Sequence, residues 1–410
     1  MNAGTAWHVP HAGSRLNAWW ERFGGAVIWV GVAYSVVAAV GRLRYALPYL
    51  VTDVEEWAAV DFKYRYEEVA RWFDGLPVYG ALERLTYPPA TYALLWPAMG
   101  WLPPGSARVV WLVTTLAAAG VIALVAYRMT AGRSRSVRML AALLPFAAYP
   151  LQVTVFVGQL PMHVVALVAA GTLVFATRPA SGITDAAASL LLAASAVKPT
   201  LAPPLVLATL IATRRWRPAL LTAAFYAAMT LAGAAAQPDG LVTLARAWLE
   251  SSADPALVGG IAEGVPSMHM LLSRLGAGRL APVASLVVLL VFAGWAWRHR
   301  RVDVWVLVGV GAIVARLWSY HREYDDAVLI LAAAALLRLG LDGDRDALWR
   351  AGFVFAVAWA TLLTPTWLLF SPSVAVARGV QGMHTVLWIA VLGFLMVAAH
   401  HQHARRAPHD

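Results

Sequence analysis

The chain has no cysteine. Disulfides, thiolate metal sites and thiol nucleophiles are therefore excluded. Charge is scarce too. Asp, Glu, Lys and Arg make up 13% of the 410 residues, where soluble domains carry about a quarter. Lysine is almost missing: Lys63 and Lys198 stand alone among 32 basic side chains. No low-complexity tract and no strict internal repeat interrupts the chain.

What is present is apolar. Hydrophobic residues make up 60% of the sequence, too many to hide in one aqueous core. Repeated Ala/Leu/Val runs approach the roughly 20 residues that a helix needs to cross a bilayer. A membrane barrel would alternate polar and apolar residues instead. The expectation is an all-α polytopic membrane protein of about twelve spans, near 24–42, 106–127, 139–157, 159–177, 184–197, 200–213, 218–236, 281–297, 303–319, 326–340, 351–370 and 383–399. The first apolar helix is expected to serve as an uncleaved insertion signal.

The net charge of +10 does not imply nucleic acid. The arginines sit in short clusters between apolar runs: Arg128 to Arg138, Arg214 to Arg217, Arg298 to Arg301, and Arg405 with Arg406. Topology explains them, because basic loops stay in the cytoplasm. Both termini are then cytoplasmic. The stretch YPPATYALLWPAMGWLP, 87–103, would invert that order as a span, so it reads as a re-entrant or interfacial helix. One membrane domain over residues 1–410 follows, with outer segments at 43–105 and 237–280. An amphipathic helix at 56–73 is expected to lie on the outer membrane surface.

Unusual polar residues gather on the outer side. Asp61, in VDFKYRYEEVARWFDGLPVYG, has the chemistry of a general base or of a solvated charge; Asp53 competes on the same grounds. Tyr87-Pro88-Pro89 fixes a bend at a helix start. Gln159, after Gly158, either bonds a sugar or phosphate or caps its own helix. Lys198-Pro199 puts an ammonium between two apolar runs, where it snorkels or meets an anion. The run RLWSYHREYDD packs Arg316, Tyr320, His321, Arg322, Glu323, Asp325 and Asp326 between two spans. Its cations suit a phosphate, and its carboxylates suit sugar hydroxyls or offset the cations. The His residues of the C-terminal tail read as part of a basic cytoplasmic stop.

The order of these motifs resembles the GT-C superfamily of membrane glycosyltransferases. More closely it resembles family 87, the polyprenol-phosphate-mannose-dependent mannosyltransferases. The resemblance spans roughly 55–330 and implies a GT-C-like fold in the plasma membrane with its active site on the outer face. It implies a polyprenyl-phosphate sugar donor, a glycolipid or glycan acceptor, and an inverting transfer without a covalent intermediate. By that analogy Asp61 is the base, and Lys198, His321 and Arg322 hold the donor phosphate. Tyr87, Gln159, Tyr320 and Asp325 bind substrate. Membrane lipids are the other partners, and neither a cofactor nor a divalent ion is expected. The HREYDD sequence departs from the aromatic or His residues usual at that place, which leaves the acceptor and the sugar open. Two other readings compete: a secondary transporter, given the broken helices and buried charge, and an outer-face polysaccharide polymerase or ligase.

Overall fold

Long apolar runs with no strand-like alternation fold as helices, since a helix satisfies its own backbone without water. The computed structural model describes residues 12–52, 58–82, 87–253, 266–339 and 345–406, and among them there is no strand. The first helices are α1 (Ala12–Val51), α2 (Val60–Phe73), α3 (Pro89–Met99), α4 (Pro104–Met129), α5 (Arg135–Ala147) and α6 (Tyr149–Val157). Then come α7 (Pro161–Thr177), α8 (Gly182–Ser195), α9 (Ala202–Thr213), α10 (Trp216–Ala234), α11 (Leu241–Ala253) and α12 (Met268–Arg274). The chain ends with α13 (Ala281–Arg298), α14 (Val304–Leu317), α15 (Leu329–Leu339), α16 (Arg345–Leu362), α17 (Thr366–Leu369) and α18 (Val374–Arg406).

Local chemistry sets the boundaries. Prolines open α3, α4, α6, α7, α9 and α13, where a missing N–H costs nothing. Ser181 caps α8 by accepting from Thr184 N at 3.1 Å, and Asp303 caps α14 by accepting from Trp305 N at 2.9 Å.

Among the described residues, five apolar stretches are long enough to cross a membrane: 22–51, 104–129, 135–157, 278–298 and 374–405. Shorter apolar helices lie at 161–177, 182–195, 202–213, 304–317 and 349–362. The protein is thus an all-helical, polytopic membrane protein. Three expected spans need correction. The first does not stop at 42: α1 runs unbroken for 40 residues to Val51, so the segment that follows is shorter. The 139–157 stretch bends at Ala148, before Pro150. The 351–370 stretch ends at Leu362, and Pro365 starts the separate turn of α17.

α3 has only 11 residues, which at 1.5 Å per residue reach about 16 Å, half of a hydrocarbon core. It does not span. α2 was expected to rest on lipid, but its inward stripe of Phe62, Arg65, Val69 and Trp72 is buried in protein. Trp72 stacks on Tyr92 of α3, centroids 4.4 Å apart, and donates from Nε1 to Gly233 O of α10 at 2.7 Å.

The bundle has two chemically distinct ends. At one, Arg338 pairs with Asp303 at 2.7 Å and donates to Met129 O at 2.8 Å. Arg133 donates to Leu337 O at 3.2 Å, and the Asp303 N–H reaches Gln402 Oε1 at 3.4 Å. These bonds gather the ends of α4, α14, α15 and α18 beside the arginine-rich turns. α4 and α15 end here and α14 starts here, so the start of α4 with α3 and α2 against it, and the turn before α15 with its Lys198 partner before α9, fall at the other end.

Candidate active site

Asp61 sits in the first turn of α2. That turn is docked on the end of α6, where the Ala59 N–H donates to Phe156 O at 3.0 Å. Ala59 adopts a left-handed conformation, φ 52°, a strained geometry for a residue with a side chain. α6 itself closes on Gly158, φ 77°, a left-handed helix stop that glycine adopts without strain. A β-carbon there would collide with the Phe62 side chain. The close contact sets α2 against the Gly158-Gln159 turn.

Gln159 is oriented by its neighbours. Its Oε1 accepts from the Leu160 N–H at 3.1 Å and from the Tyr87 hydroxyl at 3.3 Å. The amide NH2 is thereby left for another acceptor, and Gln159 is among the groups that lower the Asp61 pKa. Arg65, one helical turn on from Asp61, is buried, pairs with Glu68 at 2.6 Å, and lies over the Tyr87 ring at 4.5 Å. Burial pushes the Asp61 carboxyl up from its ordinary value, against Arg65, Gln159, Lys198 and Arg322, which pull it down. A carboxylate with a raised pKa suits proton uptake from a hydroxyl.

The break between α8 and α9 carries Lys198, which is buried and ion-paired with Asp325. Backbone groups freed by the break find side chains. Thr91 donates to Val197 O at 2.8 Å, and Trp318 Nε1 donates to Thr200 O at 2.9 Å. Asp325 also accepts the Arg322 N–H at 3.2 Å. It therefore holds both cationic segments together, one oxygen for each. Arg322 uses its Nε on the Tyr320 hydroxyl at 2.9 Å.

Asp326 forms a second, deeper cluster. Its carboxylate is ion-paired with Arg316, Nε 2.9 Å away, and accepts from His321 Nε2 at 2.8 Å and from the Tyr149 hydroxyl. Burial would raise its pKa, but Arg316 and His321 together hold it well below the usual carboxylate range.

Asp61, Tyr87, Gln159, Lys198, Tyr320 and Arg322 all line one cavity of about 1470 Å³. His321 and Asp325 do not. The His321 side chain is wholly buried against Asp326, and Asp325 sits behind Lys198. Neither is placed to touch a substrate in the cavity; each instead holds a neighbouring group. Arg42 and Gln152 also line the cavity, although the sequence reading did not single them out. Arg42 donates to Gln152 Oε1 at 3.1 Å and to Leu363 O at 2.8 Å. The available signal was an arginine at the end of an apolar run. The same side of the cavity is rimmed by exposed aromatics: Tyr34, Tyr45, Trp367 and Phe370. Asp53, the alternative base, lies outside the described residues, as do Glu55, Glu56, Glu83, Asp254 and Glu263. Among the described residues no group of three or more His, Cys, Asp or Glu side chains is placed to hold a metal ion.

Apolar helices thus surround a cavity lined by an acid and several cations, the setting of a membrane-embedded enzyme. The model of glycosyltransferase family 87 matches residues 85–326, more than half of the chain, and the chain belongs to that family. It is a glycosyltransferase. The matched segment contains Tyr87, Gln159, Lys198 and the 316–326 run, and begins after Asp61. Comparisons with curated proteins and with solved structures gave no match.

Proposed function

We propose that the protein transfers a sugar, mannose by the resemblance to its family, from a polyprenyl-phosphate donor to a hydroxyl of a glycolipid or glycan. The reaction takes place at the outer face of the plasma membrane, with both termini in the cytoplasm. The observation that carries this reading is the meeting of Asp61 with Lys198 and Arg322 in one cavity, across more than 250 residues of sequence.

The chemistry follows from those groups. Asp61 takes the proton of the acceptor hydroxyl. The acceptor oxygen attacks the anomeric carbon, and the bond from that carbon to the phosphate oxygen breaks with inversion. The electron pair leaves on polyprenyl phosphate. Lys198 and Arg322 stabilise that charge, and because Asp325 fixes both segments beforehand, little reorganisation is needed. Tyr87, Gln159 and Tyr320 position the sugar. His321 contributes through Asp326, by fixing the turn that carries Arg322. The aromatic rim of Tyr34, Tyr45, Trp367 and Phe370 suits a prenyl chain arriving from the bilayer. Collection of the arginine-rich turns at the far end supports the cytoplasmic placement of that end.

The test is direct. Purified protein in lipid discs is incubated with polyprenyl-phosphate-[3H]mannose and a lipid extract from the source cells. Label in a new glycolipid or glycan is the expected result. If label moves only from a donor with another sugar, the mannose assignment falls; if nucleotide sugars alone serve, the lipid-phosphate donor falls.

A further inference from the structure

One wall of the cavity takes no part in the acid and cation centre. It presents Trp248 and Ser252 from α11, His269 from α12 and Ser285 from α13. The hydrogen bonds fix how the His269 ring presents itself. Ser285 Oγ donates its only proton to Trp318 O at 3.0 Å. Its oxygen is then an acceptor toward His269 Nε2, 2.8 Å away. Nε2 therefore carries the ring proton, and in the neutral ring Nδ1 is a bare acceptor. Burial lowers the His269 pKa, which favours the neutral ring. The Trp248 indole N–H is buried with no partner among the described residues. Among the described residues none that lines this wall carries a fixed charge, so the wall lacks the cations that suit a phosphate. An aromatic ring beside one unused donor, a hydroxyl and one unused acceptor fits a neutral polyol.

We propose that His269 accepts a hydrogen bond through Nδ1 from a sugar hydroxyl, which makes the wall of α11, α12 and α13 a neutral glycan subsite apart from the phosphate cations. The inference rests on the glycosyltransfer reading for its substrate class. The hydroxyl belongs either to the donor sugar or to the acceptor glycan, and the experiment separates the two.

Two isosteric variants test it. Asparagine puts an acceptor where Nδ1 stands but gives up the Ser285 bond. Glutamine keeps a donor where Nε2 stands but loses the Nδ1 acceptor. Binding of octyl α-D-mannopyranoside to the protein in lipid discs is measured by calorimetric titration. His269→Asn is expected within about twofold of the unmodified protein, and His269→Gln about tenfold weaker, the size of one lost hydrogen bond. KM values in the transfer assay then name the source: a rise for the donor alone assigns the donor sugar, and a rise for the acceptor alone assigns the acceptor. The reverse order of the two variants shows a strut on Ser285 and overturns the proposal. Equal losses, no loss in either, or no binding by the unmodified protein overturn it as well. If the probe binds in the expected order while no sugar is transferred, the subsite stands and the transfer reading fails.

Discussion

Gly158 packs so closely on Phe62 that no β-carbon fits between them. This contact joins the end of α6 to the first turn of α2, and Asp61 precedes Phe62. Gly158→Ala would meet both the collision and a positive φ. It is expected to lower stability by about 1 kcal/mol or more. Through displacement of Asp61 it should lower transfer by about a hundredfold, because a shift of about 1 Å is enough to misalign a reacting group. Thermal unfolding and transfer rate in lipid discs check the two effects separately. A variant that unfolds earlier but transfers normally would detach this contact from catalysis.

Asp61 itself trades stability for function. Its pKa is raised by burial, so the folded state holds the proton more tightly than the unfolded chain does. The stability that goes with the proton is present below the ordinary carboxylate value and is lost as pH rises through the raised value. Asp61→Asn is neutral at every pH, so at pH 7 it should unfold at the same temperature as the unmodified protein or a higher one. Differential scanning of both proteins at pH 7 and pH 5 checks this. The difference is expected to shrink at the lower pH.

The acid limb of the rate profile reports the same group. A base works only when deprotonated, so transfer should fall as pH drops through a value above the ordinary carboxylate range. Gln159 pulls the Asp61 pKa down. Gln159→Leu should therefore move the acid limb to higher pH. The pH dependence of kcat/KM for both proteins measures the shift; an unmoved limb would separate Gln159 from the base.

Lys198 and Asp325 are both buried, at 3% and 1% exposure. Removing one partner leaves the other as an uncompensated charge, at a cost of about 3–5 kcal/mol. Lys198→Met should destabilise strongly, and adding Asp325→Leu should recover much of the loss without restoring transfer. A double-mutant cycle in thermal unfolding checks the coupling. Additive losses would mean that the two side chains do not depend on each other.

Much of this was legible from sequence because membrane folding leaves strong periodic signals. Every expected span has a helix at its place, since apolar run length and basic turns are read directly from residue order. The breaks at Lys198-Pro199 and Tyr87-Pro88-Pro89 were legible through proline chemistry. The unbroken extent of α1 was not, because its last turns carry Arg42 and Arg44 and look like a loop. Arg42 is half-buried because it meets Gln152 and Leu363, far away in sequence. The division of labour within RLWSYHREYDD was hidden for the same reason. Residue types marked the cluster as polar and anion-binding, but only packing shows that Asp325 turns to Lys198 while His321 turns inward to Asp326. The covering of α2 by α3 and α10 was likewise tertiary, since an amphipathic stripe does not say whether lipid or protein will meet it.

The central claim is that Asp61 serves as the base for transfer of sugar from a lipid phosphate. The most direct measurement compares the unmodified protein with Asp61→Asn in single-turnover transfer from polyprenyl-phosphate-[3H]mannose, with thermal unfolding as the folding control. Product from the unmodified protein, and a fall of about a hundredfold or more in an equally stable variant, is the expected result, in keeping with the typical contribution of a general base. Equal product from both would contradict the claim and move the base elsewhere in the cavity.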